Sequence, residues 1–267
     1  MDARGYVSAA RDWALPRTGR IVYGLGDAAM DRLLGVRTSG AVSLRELGFA
    51  VGSHGRYEPA PWRSLFTSLR ALDASPDDVF VDLGAGKGRV MLAAMRLPFR
   101  RVIGVELSPE LAAQARTAVE RRRFWMRAGA AEVFEADAAA WPVPDDVTVV
   151  YMFCPFMGPV FKAVIENILD SVERRARRLR LVYLNPFEHN YLLSTGRFVP
   201  AAWSRPPRRA ENHLNDDVVT YEVISSAVEH VPVGPVGEWA GIRDTSEMIS
   251  GFHPMIPGRG TRTGHDG

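Results

Sequence analysis

Residues 79–93 read VFVDLGAGKGRVMLA. An apolar, β-branched run (VFVDL) meets a run of helix formers (RVMLA) across Gly84, Gly86 and Gly88. A glycine turn between strand and helix lets the backbone approach a ligand, and in an open α/β sheet it lies at the binding crevice. The fingerprint for a pyrophosphate-bearing dinucleotide is G-x-G-x-x-G. It requires glycine at 84, 86 and 89, and position 89 is Arg89. The spacing present is G-x-G-x-G preceded by Asp82, whose charge repels a pyrophosphate and suits a cationic group.

Outward from this stretch the pattern alternates. Further short apolar runs stand at RVIGVEL (101–107), AEVFEAD (131–137), VTVVYMF (147–153) and LRLVYLN (179–185), with helical segments between them. Continuous apolar runs predict strands buried on both faces, and the alternation predicts right-handed crossovers and a parallel sheet. Ser108 followed by Pro109 predicts an N-cap and a proline at the first helical position. FVPAAW (198–203) and DVVTYEVISSA (217–227) carry strand signals separated only by a loop, which predicts a terminal antiparallel hairpin. The expected fold is α/β: a doubly wound, Rossmann-like, seven-stranded sheet with a terminal hairpin and a helical N-terminal extension.

Residues 1–50 read as a helical cap or lid, with helices near Tyr6–Ala14 and Arg20–Gly35. Residues 51–228 read as the core. Residues 229–267 read as a Gly- and Pro-rich extension ending in PGRGTRTGHDG, which lacks the apolar content to order itself.

The bulk properties narrow the function. The chain has 267 residues, a net charge of +2 and one cysteine, Cys154. An intrachain disulfide is impossible, which fits a reducing, cytoplasmic setting. The first residues lack a signal-peptide pattern, and no run approaches the ~20 apolar residues that span a bilayer. Lys87 and Lys162 are the only lysines, so the arginine-rich runs RRRFWMR (121–127) and ERRARRLR (173–180) reflect a compositional bias and read as solvated helix faces. Nucleic acid is not favoured as a partner. The histidines lack metal-ligand spacing, so no metal is expected.

Two more acids stand in register with Asp82. Glu106 ends the second strand, where a carboxylate can bind both hydroxyls of a ribose. Asp137 ends the third, where it can accept from an exocyclic amine. Together they describe a ligand with an adenine, a ribose and a cationic, phosphate-free tail, which fits S-adenosylmethionine (SAM).

The motifs VFVDLGAGKGRV, VIGVELSP and FEADA resemble those of class I SAM-dependent methyltransferases, over roughly residues 55–227. The resemblance implies that Asp82, Gly84, Ala85, Gly86 and Gly88 hold the methionyl end. It implies that Glu106 holds the ribose and Asp137 the adenine amine, with Leu107, Ala138 and Phe153 also against the cofactor. RYEPAPW (56–62) resembles a segment that folds over SAM in a bacterial subset of the superfamily and, more distantly, in the non-SET histone-lysine methyltransferases. By that resemblance Tyr57, Glu58 and Trp62 wall the cofactor, with Trp62 also expected against the acceptor. S-adenosylhomocysteine (SAH) would be the product.

The loop after the fourth strand reads Phe153-Cys154-Pro155-Phe156. It resembles the Asn/Asp-Pro-Pro-Tyr/Phe loop of amino-group methyltransferases, with Cys154 in place of the strong acceptor. Thiol accepts hydrogen bonds weakly, so Cys154 and Phe156 are expected to line the acceptor pocket rather than to activate an amine. After the fifth strand, Asn185 and His189 are the candidate catalytic residues, His189 as a base with an ordinary pKa of about 6.5. His54 and His213 are weaker candidates, and His253 and His265 read as tail residues.

The expected activity is SAM-dependent methyl transfer to O or N of a small molecule. The alternatives are a protein methyltransferase, acting on lysine or another side chain, and a SAM-binding protein without catalysis. Oligomeric state stays open.

Overall fold

A computed structural model describes residues 17–40, 42, 59–204 and 217–225. The expected helix near Tyr6–Ala14, Tyr57, Glu58, His54, His213, His253, His265 and the C-terminal extension lie outside the described residues. The elements run α1 (Arg17–Leu34), α2 (Trp62–Arg70), β1 (Val79–Leu83), α3 (Arg89–Ala94), β2 (Arg101–Glu106), α4 (Pro109–Arg121), a 3-10 turn (Arg123–Trp125) and β3 (Ala131–Glu135). They continue β4 (Val149–Phe153), α5 (Gly158–Arg174), β5 (Leu179–Leu184), α6 (His189–Ser194), β6 (Phe198–Ser204) and β7 (Val218–Val223). The strands form one seven-stranded sheet ordered β3-β2-β1-β4-β5-β7-β6. The first five are parallel, and β7 lies antiparallel between β5 and β6. This is a doubly wound, Rossmann-like α/β sheet closed by an antiparallel hairpin.

Each strand presents alternate residues to opposite faces. Val79, Val81 and Leu83 of β1, with Val150 and Met152 of β4, meet Phe161, Val164, Ile165 and Ile168 of α5. Phe80 of β1 and Val149 and Tyr151 of β4 meet Trp62, Leu65 and Leu69 of α2 and Val90–Ala94 of α3. Asp82 lies two residues beyond Phe80 and therefore points to the α2–α3 face.

Two readings need correction. Strand β3 is not buried on both faces: only Ala131 of its residues is buried, because the strand forms the edge of the sheet. The helix expected to run from Pro109 through Arg127 stops at Arg121, and the chain tightens into the 3-10 turn. Its start is as expected, since the Ser108 hydroxyl accepts from Leu111 N at 3.3 Å with Pro109 at the first helical position.

Candidate active site

The carboxyl ends of β1, β2, β4 and β5 meet at one crevice. Gly84, Gly86 and Gly88 hold φ of 85°, 55° and 83°, left-handed values that side chains disfavour. At Gly84 there is a second reason for glycine: a Cβ would stand 2.6 Å from Pro155 Cβ, in the loop after β4. Gly84 and Ala85 donate backbone N–H bonds to Val105 O at 2.9 and 3.0 Å, which ties the turn to β2.

Asp82 and Glu106 flank this turn, 2% and 7% exposed. Glu106 accepts from Gly86 N at 2.7 Å and from Ser108 N at 2.9 Å, so it clasps the glycine loop to the start of α4. Asp82 Oδ2 is buried with no hydrogen-bond partner. Burial, and then the neighbouring Glu106 charge, push the Asp82 carboxyl well above the ordinary carboxylate range. An unpartnered buried acid beside a second acid is costly unless a cation arrives. Asp137 is exposed and accepts from Ala139 N at 2.9 Å, which shapes the turn after β3. Leu107 is half-buried and Ala138 buried.

On the other side of the crevice, Cys154 and Asn185 follow β4 and β5, whose last residues Phe153 and Leu184 pair in register. Both hold left-handed backbone, φ 40° and 53°. Burial raises the Cys154 thiol far above its ordinary pKa, so it is no thiolate nucleophile. Asn185 is 4% exposed, fixed through its N–H to Asp217 O at 2.9 Å, and its side-chain Oδ1 is buried without a partner. Phe153 is half-buried, packed on the α2–α3 face, and Phe156 is buried on the α5 face.

His189 is placed differently. It is 3% exposed at the start of α6, and its Nδ1 lies 2.5 Å from the Tyr221 hydroxyl of β7. The adjacent Glu188 accepts from Gly158 N at 2.8 Å, a carboxylate at the N-terminus of α5.

Sequence reasoning missed the role of Arg89. It is 2% exposed and pairs with Asp27 at 2.5 Å and Asp31 at 3.3 Å, both in α1. It also donates to Thr38 Oγ1, Ser39 Oγ and Ala60 O at 2.8, 2.7 and 3.0 Å, and lies 5.0 Å from the Trp62 ring centroid. Trp62 donates its indole N–H to Asp31 at 2.9 Å, so Trp62 belongs to this network. Burial raises the Asp31 carboxyl, but hydrogen bonds from Trp62 and Ser39 and the Arg89 charge hold it below its ordinary value. Lys87, inside the glycine loop, donates to Ser39 O and Gly40 O at 3.3 and 3.4 Å. Helix α1 is thereby bonded to Arg89, and the residues that follow it, Ser39 and Gly40, to Lys87. The signal in the sequence was a basic residue where the dinucleotide pattern wants glycine.

Residues 80–177 match the family described as a methyltransferase domain. This stretch of the chain is a methyltransferase domain. The chain is also similar to a protein-lysine N-methyltransferase of Saccharolobus islandicus (strain REY15A), 30% identical over 103 residues, covering 38% of this chain and 60% of that protein. The match thus spans less than two thirds of that relative's length. Among solved structures, an RNA methyltransferase from Salinibacter ruber in complex with SAH is similar, with 22% identity, 65% of this chain and 97% of that chain covered, and a TM-score of 0.47. Phosphoethanolamine N-methyltransferase 1 of Haemonchus contortus is similar with 16% identity, 64% of this chain and 44% of that chain covered, and a TM-score of 0.46. Among the described residues of the methyltransferase-bearing chain, no helix is long and apolar enough to cross a membrane.

Proposed function

We propose that the whole chain is a methyltransferase that moves a methyl group from SAM to O or N of a small molecule. The observation that carries this is the unpartnered Asp82 Oδ2 beside Glu106 under the glycine loop. Two buried acids at that place fit a cationic cofactor and oppose a pyrophosphate. Asp82 with Gly84, Ala85, Gly86 and Gly88 would hold the methionyl end, Glu106 and Leu107 the ribose, and Asp137, Ala138 and Phe153 the adenine. Tyr57 and Glu58 would close over it.

When bound, SAM supplies a methyl group on a sulfonium, already a good leaving group. The chain's task is then alignment of the acceptor, which can contribute about 7–11 kcal/mol to lowering the barrier. Asn185 is the group we assign to it: a buried, unpartnered carbonyl at the crevice can accept from an acceptor O–H or N–H and aim its lone pair. Cys154 and Phe156 would wall the acceptor. His189, held on Tyr221, would support α6 rather than take a proton. Trp62 would act through Asp31 rather than on the acceptor directly.

A second reading, methylation of a protein lysine, is favoured by the relative of that name. Calorimetry with SAH and with NAD tests the cofactor. SAH should bind and NAD should not, and Glu106→Ala should weaken SAH by about 10–150-fold, as loss of a charge-assisted bond worth about 1.5–3 kcal/mol requires. NAD binding without SAH binding would end the proposal. A release assay for SAH with small O- and N-nucleophiles beside lysine-bearing peptides then separates the two acceptor readings.

A further inference from the structure

A groove of about 1270 Å³ runs between α1 and α4. Its basic side chains are Arg32, Arg37, Lys87 and Arg121, with Gln114 and Thr117 along its wall. Lys87 stands at one end, where Glu110 and Asp31 act on it. The acids stop there: Asp31 is neutralised by Arg89, and Glu110 accepts from Gln114 at 3.2 Å. Among the described residues, the side chains of Arg32, Arg37 and Arg121 have no hydrogen bond, ion pair or ring contact. Many of the other arginines are engaged, for example Arg100 and Arg101 with Asp146, Arg116 with Glu135 and Arg178 with Glu222. Compositional bias explains having many arginines; it does not explain three left unpaired on one groove.

The far end of the groove carries a second feature. Arg122 donates from Nε to Leu34 O at 2.8 Å, which fixes the end of α1 against the end of α4. Beside that junction Phe124 is 74% exposed and Leu33 78% exposed. The Arg122 guanidinium lies 5.9 Å from the Phe124 ring centroid, and an exposed aromatic ring beside a basic groove is the combination on which unpaired bases stack while phosphates are neutralised.

We infer that this groove binds single-stranded nucleic acid. Arg32, Arg37 and Arg121 contact successive phosphates, Gln114 and Thr117 supply neutral hydrogen bonds to sugar or phosphate, and Phe124 offers a stacking face. A concave cleft between two helices admits one strand, and stacking on Phe124 needs a base free of its partner. The binding is independent of which acceptor the crevice takes and does not need SAM.

The test uses the full chain and a fluorescent short oligouridylate, with an oligoglutamate of equal length as competitor. Binding should weaken between about 50 and 200 mM salt with a log–log slope near −2, the value for about three phosphate contacts on a single strand. Arg37→Ala with Arg121→Ala should lower affinity at least about tenfold and reduce the slope by about 1.4, with melting temperature and SAH affinity unchanged. Phe124→Ala should weaken binding by about 5–150-fold without changing the slope, since stacking is worth about 1–3 kcal/mol per base. A flat salt dependence, unchanged binding in the double arginine variant, or equal competition by oligoglutamate overturns the inference. The last outcome would assign the groove to acidic peptides. A failure of SAH to bind would leave this result untouched, so the two proposals fail separately.

Discussion

The two sides of the crevice make the same left-handed turn with different residues. After β1 the left-handed positions are Gly84, Gly86 and Gly88; after β4 and β5 they are Cys154 and Asn185. Left-handed backbone costs a residue with a side chain about 1–2 kcal/mol, somewhat less for asparagine. On the β1 side, side chains are given up where Pro155 crowds the turn and a ligand must come close. On the β4–β5 side they are kept in spite of the strain. Strain retained at strand ends facing a crevice points to side chains that the site uses.

The largest expected effect asks whether the β1 side stands without α1. Arg89→Ala should cost about 3–5 kcal/mol of stability, measured by urea denaturation, because it leaves the half-buried Asp27 and the buried Asp31 without their cation. Adding Asp27→Asn and Asp31→Asn should recover part of it. An unchanged midpoint would show that α1 is a detachable lid.

Asp82→Asn probes the same side electrostatically. A folded-state carboxyl raised above its unfolded value of about 3.9 binds more protons folded than unfolded, so its contribution is fully present below pH 4 and lost as pH rises toward the raised pKa. The ligand-free wild type should therefore lose stability with pH over that window, and Asp82→Asn should abolish that slope and be the more stable at neutral pH. SAM should favour ionised Asp82, so wild-type affinity should rise with pH, whereas the variant should bind about 1.5–3 kcal/mol more weakly with a flatter profile. Parallel profiles for the two proteins would place Asp82 away from the cofactor.

His189→Ala tests the β5 side. Losing a buried ring and its bond to Tyr221 should cost about 1–3 kcal/mol in stability. Turnover per folded molecule should stay near wild type; a loss of about 10²–10⁴-fold with intact stability would make His189 the base after all.

The smallest effect sharpens the contrast itself. Cys154→Gly relieves about 1–2 kcal/mol of left-handed strain. Glycine's freedom in the unfolded chain takes back about 0.4–1. The net gain in thermal unfolding should lie between zero and about 1.6 kcal/mol. Asn185→Gly should be near neutral in stability while turnover falls by tenfold or more. Full turnover in the Asn185 variant would mean the strain serves the fold alone.

Much of this architecture was legible because it is local. Apolar runs of five or six residues marked the strands, and Ser108-Pro109 marked the start of α4. The three acids were legible because strand ends place them by position. What escaped was contact between distant segments. Nothing near Arg89 announces Asp27 and Asp31, which precede it by 62 and 58 residues. His189 read as a base because its partner Tyr221 stands 32 residues away on a strand that pairs out of sequence order. The edge character of β3 was hidden for a related reason: burial depends on strand order, and strand order is not written in any one strand.

Strand β7 sits between β5 and β6 although it is the last of the three to be made. During synthesis, then, β5 keeps an open edge from Leu179 to Leu184, and β6 has no neighbour to pair with, until residues 218–223 have left the ribosome. An apolar strand with a free edge is a template for another chain. A nascent chain stalled or cut between Ser204 and Val218 would carry the β1–β5 pairings and yet expose that edge, so aggregation of truncated products should begin at this boundary and vanish once β7 is included.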